Sequence, residues 1–273
     1  MTFKGIVTEF RAKAYPQGNI WGSLSLYSMD QMDDVLQAYE QYHTAPNKDL
    51  NANMVMNIGP INDTVIVTLV YLKPEESPEA FAPFYGIPPV MQQSGIMSLT
   101  DLMTSFPAAD LPRWTWYTSS FEPKNDIFAK ISDFLKAAPE TDIIKPLQSG
   151  TLVATIQPIN ENVILTGEAN GGNALNMKPV NQTWIAFNVG WANESDDEAA
   201  YAAIESLHER LVELIDDAGV GLDFIFMNDA NIKQPVIASY GAESVQRLLG
   251  VKQDYDPDFV FEKLVKGGQK IPS

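Results

Sequence analysis

The chain has 273 residues, 45% of them hydrophobic, so it can bury a sizeable core and lies near the upper size of a single domain. Its 35 acidic and 18 basic side chains give a formal net charge of −17, which disfavours nucleic acid or anionic membranes as partners. Cysteine is absent, which excludes disulfides, thiolate metal sites and a cysteine nucleophile. No apolar run reaches the roughly 18 residues that span a bilayer, and residues 1–15 lack the apolar region of a signal peptide, so we expect a cytoplasmic protein.

The first part of the chain has the pattern of strands joined by hairpins, with one helix between them. A turn at Pro16-Gln17-Gly18 separates the first two strands, and Asn62-Asp63 separates the next two. The predicted strands are 6–14, 19–27, 52–58 and 64–72, and the predicted helix runs from Ser28 to about Tyr42, with apolar residues at helical spacing: Met32, Val35, Leu36 and Tyr39.

The rest of the chain alternates between strands and helices. It begins with a segment rich in proline and methionine at 74–112, which contains one short helix near 98–105. Strands followed by helices predict one α+β domain over 1–273, with a largely antiparallel sheet and helices packed on one face. The predicted strands are 113–120, 150–157, 182–191 and 222–227, with a loop around Gly171-Gly172-Asn173, and the predicted helices are 124–138, 195–218 and 241–253.

The two histidines, His43 and His208, are weak candidates for metal ligands. Both lie in predicted helices and are flanked by polar residues, which favours a solvated or half-buried side chain. A zinc or iron site would need more convergent ligands, so we expect no bound metal.

Several short motifs occur in an ordered series along the whole chain. They are Gly5-Ile6-Val7-Thr8-Glu9-Phe10, Asn19-Ile20-Trp21-Gly22, Phe81-Ala82-Pro83-Phe84, Gly172-Asn173-Ala174-Leu175, Tyr240-Gly241-Ala242-Glu243-Ser244 leading into Arg247-Leu248, Tyr255-Asp256-Pro257-Asp258-Phe259-Val260-Phe261, and Gly267-Gly268-Gln269-Lys270. In this order they resemble the FAD-linked oxidases of the berberine-bridge-enzyme type, especially the fungal members.

The resemblance implies a substrate-binding domain of α+β architecture that stands without the domain holding the flavin. In the resembled enzymes the first motif lies in the middle of the chain and the last motif at its extreme C-terminus. A Gly-x-Gly-x-x-Gly or P-loop segment is not visible in the sequence. Because hydride abstraction needs an electron sink, we expect neither bound flavin nor oxidase activity from this chain alone.

One motif departs from the resembled family. The family usually has Asn-Tyr-Ala where this chain has Asn228-Asp229-Ala230, and the family's tyrosine lies near flavin and substrate. A carboxyl in an apolar pocket can be tuned towards neutral pH, so Asp229 is a candidate general acid or base. The alternative is that Asn228-Asp229 is an ordinary turn pair.

Strand parity predicts which residues line a pocket on the sheet face that helices leave open. An aromatic wall with a few polar groups suits a small, largely apolar ligand, although a solvated sheet face is the simpler interpretation of any single position. The predicted open-face set is Arg113, Thr115, Tyr117, Ser119, Val153, Thr155, Gln157, Trp184, Ala186 and Asn188, with Ile185, Phe187, Val189 and Trp191 facing the other way. We predict Asp229 and Tyr117 as catalytic residues, and Gln157, Trp184, Asn188, Thr115, Thr155 and Trp116 as substrate contacts.

Three functions remain open at this point. The first is a flavin-independent enzyme of specialised metabolism that catalyses a cyclisation, dehydration or pericyclic step, which needs shape and orientation rather than a redox cofactor. The second is a non-catalytic subunit that works with a separately encoded flavin domain, and the third is an inactive truncated product. The first is preferred because the fold signals persist throughout. We also expect a lid formed by 74–112, or a two-fold homodimer, to cover apolar open-face groups such as Trp184 and Tyr117.

Overall fold

A computed structural model of the protein describes residues 7–105 and 110–272. These residues build one eight-stranded sheet in the order β4-β1-β3-β2-β6-β7-β5-β8, and every pair of neighbouring strands is antiparallel. The strands are β1 Ile20–Tyr27, β2 Ala52–Gly59, β3 Thr64–Tyr71, β4 Met91–Met97, β5 Arg113–Phe121, β6 Thr151–Ile159, β7 Gln182–Trp191 and β8 Gly221–Leu222. The helices are α1 Met32–Thr44, α2 Ala82–Tyr85, α3 Leu99–Thr104, α4 Ile127–Lys136, α5 Glu140–Ile144, α6 Glu161–Ala169, α7 Asp197–Asp217, α8 Gly241–Tyr255 and α9 Val260–Lys263.

Helices α1, α4 and α7 cover one face of the sheet and form the main core with it. Tyr39 of α1 meets Phe128 of α4 edge to face, with 5.0 Å between ring centroids, and Phe134 stacks on Phe187 of β7 at 6.3 Å. The buried indole of Trp191 donates to Asp197 at the start of α7, at 2.8 Å. The α+β class with an antiparallel sheet and helices on one face is therefore confirmed.

The longest helix, α7, shows why these residues form a helix that packs on the sheet. Its first turn carries Asp197 and Glu198, which the helix dipole stabilises. Gly219 follows its end with a φ of +65°, a conformation that suits glycine. Its buried residues recur every three or four positions: Ala200, Ala203, Ile204, Leu207, Leu211 and Ile215.

Two predicted strands differ from the structure. Residues 7–14, the described part of the predicted strand 6–14, form no strand and are exposed, and residue 6 lies outside the described part. Strand β1 already pairs with β3 and β4 on its two sides, so it has no free edge for another strand. The predicted strand 222–227 is only two residues long, because the chain leaves β5 after Leu222 and turns over the sheet.

Strand β4, helix α6 and the short helices α2, α5 and α9 have no counterpart in the sequence prediction. Strand β4 lies within 74–112 and is an exposed edge strand, so it lacks the alternation of a half-buried strand. Helix α6 follows β6 directly and buries only Ile164, so its amphipathic pattern is weak. The described part of 74–112 also does not form the predicted lid, since α2 packs on α1 and β4 extends the sheet. Two side chains of this segment, Leu102 of α3 and Leu111, do reach the sheet face away from α1, α4 and α7, beside Gly22 and Gly190.

Candidate active site

The side of the sheet away from α1, α4 and α7, here called the open face, carries the candidate site. The pairing register defines it: Gln157 lies opposite Trp184, and Asn188 lies opposite both Val153 and Trp116. Thr155 belongs to the same face. The predicted orientation of β6 and β7 is therefore correct for these residues, and Ile185, Phe187, Val189 and Trp191 face the helices as expected.

The predicted orientation of β5 is wrong. Tyr117 pairs with Phe187 and lies in the helix-covered core, which puts Thr115, Arg113 and Ser119 on the helix side as well. The odd-numbered and the even-numbered residues of β5 both include polar and aromatic side chains, so composition did not show which set faces the helices. The open face receives the other set instead: Trp114, Trp116, Thr118 and Ser120.

Tyr117 is consequently removed from the candidate active site. Its ring lies 4.8 Å from the imidazole of His208, and its hydroxyl contacts Glu205 of α7. Burial, reinforced by the negative charge of Glu205, raises the pKa of Tyr117 to about 12. Thr115 is buried on the same side and accepts a hydrogen bond from the Asn231 amide at 3.1 Å.

The eight strands place no ionisable side chain on the open face. From β4 to β8 its residues are Met91, Gln93, Gly95, Met97, Ile20, Gly22, Leu24, Leu26, Thr64, Ile66, Thr68, Val70, Asn53, Val55, Asn57, Gly59, Thr151, Val153, Thr155, Gln157, Ile159, Gln182, Trp184, Ala186, Asn188, Gly190, Trp114, Trp116, Thr118, Ser120 and Leu222. Such a face offers neutral hydrogen-bonding groups and apolar surface.

A polar row crosses the middle of this face. Thr155 donates to the amide oxygen of Asn57 at 2.8 Å, and the Asn188 amide donates to the Thr155 hydroxyl at 3.4 Å. Trp116, beside Asn188, is 37% exposed and stacks on Trp114 with 5.6 Å between ring centroids. The alternation of Met54, Met56 and Ile58 in β2 is a sequence signal that places Asn57 on the open face.

A second, smaller core covers one end of the open face. After β8, residues 223–230, here called the crossing segment, pass over β5 and β7. Two of their rings pack on Trp184, Phe226 at 4.5 Å and Phe224 at 5.1 Å between centroids. Val236 and Tyr240 complete this cluster. Trp184 is only 9% exposed, so it supports the crossing segment and is not an open wall for a ligand. Trp116 is the exposed indole of this face.

Asp229 lies on the crossing segment, in a single 3₁₀ turn at Met227–Asp229. The turn-pair interpretation is therefore correct for the backbone, since the Asp229 N–H donates to the Phe226 carbonyl at 3.2 Å. Its carboxyl is half-buried and is hydrogen-bonded to the Gln157 side chain. Burial raises the pKa of Asp229 above its usual value, and the Gln157 hydrogen bond partly offsets that rise. The structure thus brings Asp229 and Gln157 together, while the acid or base role stays a prediction.

A large cleft of about 1220 Å³ opens beside Gln157. It runs over the start of β2 and the end of β3, past Asn53, Val55 and Val70, and continues around the rim of the sheet to the residues that follow α1. Lys48 lines its far end. No sequence pattern singled out Lys48, because an isolated lysine after a helix is usually solvated.

The two histidines have structural partners. His43 is fully buried, and its Nε2 lies 2.9 Å from the Gln182 carbonyl oxygen, so it is not the solvated or half-buried residue that we expected. His208 is partly buried, and its Nε2 lies 3.0 Å from the Ser119 hydroxyl. Within residues 7–105 and 110–272, no group of three or more His, Asp or Glu side chains could hold a metal ion. No helix in that part of the chain is long and apolar enough to cross a membrane.

His43 predicts a specific acid sensitivity of the fold. Burial, with a smaller contribution from the Lys48 charge, lowers the pKa of His43 from 6.5 to about 3. Between these values the unfolded chain binds a proton that the folded chain does not, so stability is lost as the pH falls below 6.5, by up to about 1.4 kcal/mol per pH unit. In urea unfolding followed from pH 7 to 4, His43→Gln should flatten this dependence. If the free energy of unfolding depends on pH equally in the variant and the wild-type protein, groups other than His43 cause the acid sensitivity.

Comparison with known proteins finds relatives along nearly the whole chain, although no protein-family model matches it. It is 27% identical over 269 residues to the bifunctional solanapyrone synthase of Alternaria solani, a match that covers 98% of this chain and 52% of that protein. It is 30% identical over 287 residues to the FAD-dependent monooxygenase FUP4 of Fusarium proliferatum, covering 98% of this chain and 55% of the relative. The chain therefore spans about half the length of the curated relatives it matches.

The name of the Fusarium relative implies FAD, so the described residues can be tested against that cofactor. Dinucleotide pyrophosphates are commonly held at the turn from a strand to a helix in a parallel βαβ unit. Here all strand pairs are antiparallel, and no Lys or Arg lies on the strands' open face. Within residues 7–105 and 110–272, the open face of the sheet accordingly does not fit the pyrophosphate of FAD.

Solved structures that share this fold include a berberine-bridge-enzyme-like protein and an oxidoreductase. BBE-like 1 of Physcomitrella patens superposes with a TM-score of 0.65 at 13% identity, covering 94% of this chain and 54% of that one. Aclacinomycin oxidoreductase superposes with a TM-score of 0.65 at 11% identity, covering 90% of this chain and 55% of that one. The chain thus has the α+β fold of the substrate-binding domain of berberine-bridge-type enzymes, and its sequence relatives are fungal proteins that include several FAD-dependent monooxygenases.

Proposed function

We propose that this chain binds a small, largely apolar intermediate of specialised metabolism and catalyses a non-redox step, with Asp229 as general acid or base. The step is a cyclisation, a dehydration or a pericyclic reaction. The observation that carries the proposal is the Asp229–Gln157 contact at the edge of a sheet face whose own strands bear no ionisable group. A solanapyrone synthase among the relatives supports the assignment to specialised metabolism.

The raised pKa makes Asp229 suited to proton transfer. A carboxyl that is partly desolvated is a stronger base when ionised, and it holds its proton to a higher pH when it acts as an acid. Gln157 can fix the carboxyl in one orientation. The proton then passes from Asp229 to a carbonyl or hydroxyl oxygen of the substrate, or from the substrate to Asp229.

The rest of the open face would orient the substrate. Asn188, Thr155 and Asn57 form a hydrogen-bonded row that can bind carbonyl or hydroxyl groups, and the exposed indole of Trp116 offers a flat apolar surface. Holding a flexible chain in a reactive conformation accelerates ring formation without any redox chemistry. Trp184 contributes indirectly, because it supports the segment that carries Asp229.

The change in substrate mass tests this proposal directly. Purified protein is incubated with candidate polyketide- and terpenoid-type intermediates, without an added electron acceptor, and the products are followed by mass spectrometry against a heat-inactivated control. A product isomeric with its substrate, or one that has lost a molecule of water, is the expected result. A product that has lost only hydrogen would contradict the non-redox assignment.

A second candidate is a substrate-binding half that complements an FAD-binding half of an oxidase. It is favoured by the length of the relatives, since this chain matches only about half of each. The uncharged open face, with Trp116 exposed, is a surface that another domain could cover. Mixing the protein with the FAD-binding half of a relative should then give a yellow complex that oxidises substrate and survives gel filtration. A colourless protein that turns over alone would reject this candidate.

A homodimer through the open face remains a third arrangement to be tested. Since Trp184 and Tyr117 are both buried within the chain, the apolar area that needs covering is smaller than the sequence predicted. Light scattering of the purified protein measures the mass of the particle, and Trp116→Lys should dissociate a dimer formed through this face.

A further inference from the structure

The ammonium group of Lys48 has an unusual set of partners. It donates to the backbone carbonyl of Tyr42 at 2.6 Å and to that of His43, both in the last turn of α1, and it lies 5.2 Å from the centre of the Tyr42 ring. An ammonium group has three N–H donors, and these two carbonyls use two of them. One donor is left for another partner.

Lys48 has no carboxylate partner within ion-pair distance in the described part of the chain. This is notable in a protein with a net charge of −17. The adjacent Asp49 carboxylate is used elsewhere, since it accepts hydrogen bonds from the Tyr71 hydroxyl at 2.7 Å and from Asn51. The two carbonyls offset the desolvation of this partly buried cation only in part, and a bound anion would offset the rest.

The same lysine lines the cleft of about 1220 Å³ that begins at Gln157. Between them the cleft wall includes the apolar side chains of Leu72, Pro83 and Val163. The lining also includes neutral polar side chains and the carboxyl groups of Asp49 and Glu79. A cleft of this size that combines apolar surface with polar groups is typical of a small-molecule site. Among the described residues that line the cleft, Lys48 is the one lysine or arginine. Burial lowers the pKa of Lys48 to about 8, so its side chain is mostly protonated at pH 7.

We propose that Lys48 binds an acidic oxygen of the ligand, a carboxylate or an enolate, while the apolar body of that ligand lies along the cleft towards Gln157. This inference rests on the proposed function and narrows its substrate class to largely apolar molecules with one acidic oxygen. Lys48 is a specificity-determining residue in this arrangement, and Asp229 acts at the other end of the ligand.

Two flat probes that differ in charge test the inference. Binding of 2-naphthoate and of its neutral amide, 2-naphthamide, is measured by calorimetry at pH 7 and low salt. Wild-type protein should bind the carboxylate about tenfold more tightly, as expected of one charge-assisted hydrogen bond in a partly desolvated site. Lys48→Met should abolish the preference and leave the affinity for 2-naphthamide unchanged. Lys130→Gln, which removes an exposed lysine on α4, is the matched control and should keep the preference.

Location and folding are tested with two further variants. Val163→Trp, which fills the cleft, should weaken the binding of both probes. Lys48→Arg keeps the charge and should retain most of the preference, so it separates a lost ion pair from a damaged end of α1. Any of three results would overturn the inference. Wild-type protein could bind the two probes with equal affinity, it could fail to bind 2-naphthoate, or the preference could survive in Lys48→Met. Because no turnover is measured, these results are independent of the role of Asp229, and Asp229→Asn should keep the preference.

Discussion

Asp229→Asn is expected to lower turnover by about 10²–10⁴-fold, the usual contribution of a positioned acid or base. The asparagine side chain is nearly isosteric and can still hydrogen-bond to Gln157, so the fold and substrate binding should be retained. The rate with the wild-type protein and the variant is compared at saturating substrate, with circular dichroism as a check of folding. Asp223→Asn is the matched control, because it removes an exposed carboxyl near the start of the same crossing segment, and it should leave turnover unchanged.

Two further variants separate acid/base catalysis from catalysis by shape alone. Tyr117→Phe should have little effect on turnover, since the Tyr117 hydroxyl contacts Glu205 on the opposite face of the sheet. If Asp229→Asn keeps full turnover while Trp116→Ala removes it, the protein works by orientation alone. The pH profile gives the direction of proton transfer: an acid role makes the rate fall as the pH rises through the raised pKa of Asp229, and a base role makes it rise.

Gly150→Ala is expected to destabilise the fold by about 3 kcal/mol, at the upper end of what overpacking costs. A Cβ atom at Gly150 would lie 2.0 Å from the Ile144 carbonyl oxygen, where α5 ends and the chain turns into β6. Backbone atoms cannot move aside as the end of a flexible side chain can, so the turn and the first residues of β6 would have to shift. Gly86→Ala is the control, because a Cβ at Gly86 would have no heavy atom within 4 Å.

Urea unfolding of both variants measures this difference in the free energy of unfolding. Gly86→Ala should be within about 0.5 kcal/mol of wild type, as is usual for surface substitutions. Equal stability of the two variants would mean that the connection between α5 and β6 adjusts easily. A defect at this connection also matters for function, because β6 carries both Thr155 and Gln157.

Much of the fold could be predicted from local patterns. In β7, Ile185, Phe187 and Val189 alternate with more polar positions, which determines both the strand and the face that the helices cover. In α7 the recurrence of buried residues every three or four positions determines the helix and its inward side. Such patterns predict strands and helices because one face of each element is buried and apolar, while the other is less buried and more polar.

The sequence was less informative where burial is similar on both sides of an element or absent from both. Strand β4 is exposed and therefore has no alternation, and residues 7–14 resemble a strand but form none, since the following strand β1 is already paired on both sides. Strand β5 mixes polar and aromatic residues in both alternate sets. Which of these sets faces the helices is determined by the register of β5 with β7, in which Tyr117 lies opposite Phe187. This non-local pairing places Tyr117 outside the candidate site.

The sequence by itself determined the α+β class and the antiparallel sheet, because local periodicity encodes both, and it singled out Asn228-Asp229-Ala230 as a candidate site segment. Only the tertiary structure decided what surrounds Asp229 and Lys48. The crossing segment folds back over Trp184 through ring contacts between residues distant in the chain, and this brings the Asp229 carboxyl to Gln157. Among residues 7–105 and 110–272, Lys48 lies beside a cleft with no carboxylate at ion-pair distance, while the Asp49 carboxylate accepts a hydrogen bond from Tyr71 of β3. Contacts of this kind depend on packing, which no local pattern encodes.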